Sequence, residues 1–285
     1  MVDPAKVLYL DTNHMSTLAG IRPDLGAGPV RELLDSGDAV LAFSIVHMIE
    51  LSAPTFRSVD LVRRLLSEFP IVFATIREQI FDQEMLAAHA LTYGYPATVP
   101  EPFVERLEEW HDRKAPPGFG AVDMLDFLIE RPEIREEMLA IGQRGAEVAS
   151  LKEQAYVVRD RTGPIVLRLR DELPALLRER GIDSKFAPEE IVSAMGGVEG
   201  FPSYAVWQSL SIQRLLHPGF ITEPNDIWDE YHASYAPYAA VTALDRRTAH
   251  RVREARLPCS SRVTSCLSDV PRLFLKVSLG DLKLG

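Results

Sequence analysis

The residues best placed for chemistry are four carboxylates: Asp11, Glu50, Asp229 and Asp245. Asp11 closes the apolar run at 6–10 (KVLYL), and Asp245 closes the run at 239–244 (AAVTAL). A third run at 39–43 (AVLAF) ends at Ser44, and Glu50 follows it on an apolar stretch. Asp229 lies on the segment leading toward the Asp245 run. Gathered in one place, such like charges repel, and at least one must protonate unless a cation sits among them. Hard oxygen donors without nearby Cys or an obligatory His select Mg2+ or Mn2+ over zinc. A carboxylate-held ion of that class implies phosphate chemistry, with a water oriented and developing charge neutralised.

Positioning four acids requires a scaffold that brings distant segments together. Buried strands are predicted at 6–10, 39–43 and 71–74, separated by helical patterns at 31–35, 45–53 and 58–68, with a further helix running to about residue 91. That alternation argues for a parallel sheet covered by helices. In open parallel sheets ligands bind outside the carboxyl ends of the strands, so Asp11, Ser44 and Asp245 should converge on one crevice. From 96 to 202 the pattern is helical, over 103–110, 122–129, 132–160, 167–180 and 188–195. Helix over 226–236, strand over 239–244, helix over 247–256 and an edge strand over 274–279 complete the chain. The expected architecture is an α/β core made from residues 1–92 and 205–285, with an all-helical insertion at 93–204. An excursion of about 100 residues is tolerable when its ends lie close together.

Each acid alone has a plainer reading. Asp11 is a natural helix N-cap, Glu50 a structural acid on an apolar helix, Asp229 a solvated helix residue, and Asp245 a strand-end partner for Arg246 and Arg247. Asp226 rivals Asp229 as the third acid. The joint placement by one sheet edge favours the functional reading over four separate accidents.

The chain has 285 residues, 46% hydrophobic and 25% charged, with a formal net charge of −10. That balance opposes an extended electrostatic grip on nucleic acid but leaves room for local basic patches. One candidate patch holds Arg159, Arg161, Arg168, Arg170, Arg178 and Arg180. Another holds Arg246, Arg247, Arg251, Arg253 and Arg256, just after Asp245. Cys259 and Cys266 match no common zinc spacing and read as plain thiols. No run has the length of a signal peptide or a membrane helix, so the expected location is the cytoplasm.

Three blocks carry a family resemblance: VLYLDTN at 7–13, LAFSIVHMIE at 41–50, and DIWDEYHASYAPYAAVTALDRR at 226–247. In this order they resemble the three blocks of PIN-like domain nucleases. The resemblance implies an α/β, PIN-like parallel sheet and an endoribonuclease that hydrolyses RNA phosphodiesters with Mg2+ or Mn2+. By position, Asp11, Glu50, Asp229 and Asp245 would be the metal ligands. Asn13, Ser44 and His232 would orient carboxylates or substrate. The chain departs from the family at Ala240 and Leu244, where members often carry an acid and a Thr or Ser. Expected partners are an RNA substrate, with a protein partner, an antitoxin or a homodimer left open. Two other functions stay open: a non-catalytic PIN-like interaction scaffold, and a haloacid-dehalogenase-type phosphatase. The last wants a second Asp two residues after Asp11, where this chain has Asn13.

Overall fold

Val7–Leu10 is a continuous apolar run, and as strand β1 all four of its residues are buried, as a strand covered on both faces requires. In the computed structural model β1 lies mid-sheet, with β2 (Val40–Phe43) and β3 (Ile71–Ala74) beside it in turn. The structure describes residues 2–22, 26–53, 56, 58–96, 99–106, 109–110, 113–114, 118–140, 162–216, 224–280 and 282. β4 (Phe103–Val104) adds antiparallel to β3, and a small hairpin, β5 (Glu109–Trp110) and β6 (Arg113–Lys114), forms separately. On the other side of β1 lie β7 (Val241–Ala243) and β8 (Val263–Thr264), giving the order β4-β3-β2-β1-β7-β8. The strands β3, β2, β1, β7 and β8 run parallel, in a register that pairs Leu8 with both Leu41 and Val241.

The chain runs outward from β1 to β2 and β3, then returns to β7 on the opposite side. The carboxyl ends of β1 and β7 therefore flank a topological switch point, where such sheets bind ligands. Helices α1 (Thr12–Leu18) and α2 (Ala27–Asp35) connect β1 to β2, and α3 (Ile45–Leu51) and α4 (Val59–Glu68) connect β2 to β3. The long α5 (Arg77–Tyr93) follows and ends at Gly94, whose φ of 73° is the left-handed cap that glycine adopts without strain. Next come α6 (Ala121–Glu130), α7 (132–140), α8 (Gly163–Glu179), α9 (Pro188–Ala194) and α10 (Pro202–Leu216). The chain closes with α11 (Pro224–Ala233), α12 (Arg246–Glu254) and α13 (Val270–Ser278).

The main core packs the sheet against α1–α4, α6 and α13. A second apolar cluster joins Phe81 and Met85 of α5 to Leu169, Leu173 and Leu177 of α8, Ile191 of α9 and Tyr204 of α10. Glu84 ties these layers together: its buried carboxylate accepts the Ser203 and Tyr204 amides and the Tyr238 hydroxyl. Burial lifts that carboxyl to about 7 despite these donors.

Two expectations are corrected. The middle is not all helical, because residues 103–104 form β4 rather than helix. Pro102 favours extended backbone before it, and its carbonyl accepts the Thr75 amide at the sheet edge. Residues 274–278 are not an edge strand but the second half of α13, and Leu279 is its C-cap. Val270, Leu273, Phe274 and Val277 are buried at helical spacing, a period the shorter window concealed. The last parallel strand is instead β8, too short to register as an apolar run. Of the helix expected at 132–160, residues 132–140 are helical and the rest lies outside the described residues, as do Arg159 and Arg161. Among the described residues no helix is long and apolar enough to cross a membrane.

Candidate acidic active site

Asp11 and Asp245 are set by the same local device. Asp11 directly follows β1, Asp245 lies two residues past β7, and each caps the helix that follows. Asp11 Oδ1 accepts the His14 backbone amide at 2.9 Å, while Asp245 Oδ1 accepts the amides of Arg247 at 2.8 Å and Thr248 at 3.2 Å. The Asp11 amide donates to the Ala243 carbonyl at 2.8 Å, locking the ends of β1 and β7 side by side. Both carboxylates are thus held at the switch point by backbone geometry.

His14 reinforces Asp11. Its Nδ1 lies 2.7 Å from Asp11 Oδ1, and its Nε2 donates to the Ser265 carbonyl at 3.2 Å. With acceptors at both ring nitrogens, the imidazolium is favoured, and the His14 pKa rises although burial opposes it. For Asp11, burial pushes upward, but the His14 hydrogen bond and charge win and hold the carboxyl below its usual range.

Glu50 reaches the site from α3. Its Oε2 accepts the Thr12 hydroxyl and faces His232 Nε2 at 3.2 Å. Behind His232 runs a buried polar chain. His232 Nδ1 lies 2.7 Å from the Tyr9 hydroxyl, which lies 2.9 Å from Ser44 Oγ. Ser44 donates its amide to His47 Nδ1 at 3.0 Å, and His47 Nε2 donates to the Leu10 carbonyl at 2.6 Å. That pattern fixes His47 as a neutral imidazole. Burial, followed by the neighbouring charge of His232, depresses its pKa to about 3. His232 goes the other way: burial disfavours its charge, but the Glu50 hydrogen bond and the charges of Glu50, Asp11 and Asp229 raise its pKa. Burial keeps the Tyr9 phenol neutral.

Asp229, half-buried on α11, reports how the acids relate. Its carboxyl is lifted to about 7, first by burial and then by Asp245, with further pushes from Glu50 and Asp11 that the His232 charge does not cancel. Asp229 therefore lies within electrostatic reach of the other three acids. As placed, they are not a finished cage: among the described residues no three His, Cys, Asp or Glu side chains form a ready ligand group. The donor set is nonetheless of a kind that suits a hard cation, since it is all carboxylate.

Ser44 and His232 take orienting positions, but His232 holds Glu50 rather than the Asp229 three residues before it. Asn13 is exposed on α1, and among the described residues its side chain has no hydrogen bond; Thr12 orients Glu50 instead. Asp226 is buried and ion-paired with Arg247, which removes it as a rival. Leu244 is buried with Val206, Leu210 and Val252 because α10 and α12 cover that end of β7, so the position preceding Asp245 serves packing. Sequence reasoning missed Tyr9, Thr12 and His14. His14 alone left a trace, lying three residues past Asp11 and so within reach of its own N-cap.

Compared with known protein families, curated proteins and solved structures, the chain matches none.

Proposed function

We propose that this chain is a PIN-like, metal-dependent endoribonuclease that hydrolyses RNA phosphodiesters at the centre formed by Asp11, Glu50, Asp229 and Asp245. The observation that carries the reading is Asp229. Burial first, and then the charges of three acids from separate elements, at the carboxyl ends of adjacent parallel strands and on α3, lift its carboxyl to about 7. Four carboxylates from separate elements drawn to one switch point are what a cation site requires.

In this reading Asp11, Glu50, Asp229 and Asp245 hold Mg2+ or Mn2+. Such an ion, when bound, lowers the pKa of water and neutralises charge developing on the phosphate. The chain's own residues supply order. Asp11 and Asp245 are immobilised by their caps, so their carboxylates need little reorganisation on binding. Thr12 and His232 hold Glu50 by one oxygen, and the Tyr9–Ser44–His47 chain fixes the His232 ring. Asp229 is the mobile charge of the set, able to shed its proton when a cation arrives.

The test is cleavage of a mixed set of labelled RNAs with Mn2+, with Mg2+ and with EDTA, comparing wild type with Asp11→Asn. Cutting that needs metal and vanishes in the variant is the expected result. No cutting of any RNA, together with no metal-dependent rise in melting temperature, would refute the catalytic reading and leave the interaction scaffold.

A further inference from the structure

We infer that the basic cleft beside the acidic centre, lined by Arg246, Arg247, His250, Arg253 and Ser265, is a track for the phosphate backbone of single-stranded RNA. The choice of RNA rests on the nuclease reading; the cleft itself does not. It is an open groove of about 530 Å³. One covalent link and one hydrogen-bonded link tie it to the acids. Arg246 is the residue after Asp245, and Ser265 holds His14, which holds Asp11. One wall thus serves both sites.

The basic residues of α12 divide by face. Arg251 turns inward, donating to the Leu210 carbonyl and pairing with Glu230, and Arg247 pairs with buried Asp226. Arg246, His250 and Arg253 follow at i, i+4 and i+7 along one exposed face, a row about 10 Å long. His250 lies 3.3 Å from Glu254 and Arg253 Nε donates to the Ala249 carbonyl at 3.2 Å, and both side chains line the groove. On a chain of net charge −10, such a row concentrates positive potential at one place. About 10 Å accommodates roughly three nucleotides at the 3.4 Å rise of a stacked strand. Among the described residues the cleft lining carries no Phe, Tyr or Trp ring on which a base could stack. The grip is therefore on phosphates, and it positions the strand without reading its sequence.

The experiment uses the full chain in EDTA, so that binding is measured without cutting. Labelled 12-nucleotide single strands of three unrelated RNA sequences are titrated over a salt series with wild type, with Arg246→Ala/Arg253→Ala, and with Arg170→Ala on α8 as a control. The expected result is a similar loss of at least about tenfold on all three sequences for the double variant. The slope of log affinity against log salt should shrink by about 1.4, at ~0.7 per phosphate contact. The control should behave as wild type. An unchanged affinity and slope would overturn the proposal, as would binding that occurs only with DNA of the same sequences. Cleavage in Mn2+ separates the two readings. A double variant that cuts with unaltered KM removes the track and keeps the chemistry. Arginine-dependent binding by a chain that never cuts keeps the track and removes the chemistry.

Discussion

Asp229 and Glu230 are consecutive on α11 and meet opposite fates. Glu230 is almost wholly buried between Arg214, with Nε at 3.4 Å, and Arg251, with Nη2 at 3.5 Å, and it accepts the Ser211 hydroxyl at 3.1 Å. Burial still raises its pKa, but two arginines oppose the rise. Asp229 faces the sheet edge, where its neighbours are Asp245, Glu50 and Asp11 and the one opposing charge is His232. One acid is compensated within the chain and serves the fold. The other is crowded by like charge that His232 only partly offsets. Residue type does not separate them; the face of the helix does.

The largest effect should come from uncovering the compensated acid. Arg214→Met leaves Glu230 buried with one arginine fewer, and should lower unfolding free energy by about 3 kcal/mol in urea titration. The double variant Arg214→Met/Glu230→Leu should recover most of that loss. A single variant that unfolds like wild type would erase the contrast between the two acids.

The reverse experiment is Asp229→Asn. Metal-dependent cutting should fall about 100-fold or more. Above about pH 4 the melting temperature in EDTA should rise, because burial and the neighbouring acids disfavour this carboxylate in the folded chain. A lower melting temperature would mean that Asp229 is structural like its neighbour.

The pH dependence sharpens the same point. Asp229 keeps its proton up to about 7 in the folded chain but releases it near the ordinary value of 3.8 when unfolded. Between those values the folded state binds more protons, so metal-free stability falls as pH rises from about 4 to about 7. Glu84 acts in the same sense over a similar window. Melting curves in EDTA should flatten partly in Asp229→Asn and partly in Glu84→Gln. An unchanged slope in the former would mean that the acids around Asp229 do not press on it.

The smallest effect belongs to the chain behind Glu50. Tyr9→Phe removes the hydroxyl between Ser44 and His232. It should cost about 1 kcal/mol of stability and about tenfold in cleavage rate. The His232 ring should also titrate differently by NMR. A wild-type His232 titration would show that the polar chain does not position the ring.

Some of this was legible in linear form. The runs at 7–10, 40–43 and 71–74 are buried on both faces, and such strands must be apolar throughout, so they stand out from their surroundings. Asp11 and Asp245 were visible because a strand end followed by a helix cap has a local signature. β8 and β4 were not, since two residues carry no periodicity, and their place is set by register with Thr242 and Phe73. α13 was misread because four apolar positions at helical spacing also fit a short alternating window.

By itself, then, the sequence determined the element types of the central sheet and which carboxylates could end its strands, because these depend on burial and capping within a few residues. Only the tertiary structure decided that Thr12 rather than Asn13 orients Glu50, that His232 turns to Glu50 and Tyr9, and that Asp226 is spent on Arg247. Those choices depend on which side chains meet across 21 to 223 positions of chain, and on how much charge each buried pocket must neutralise.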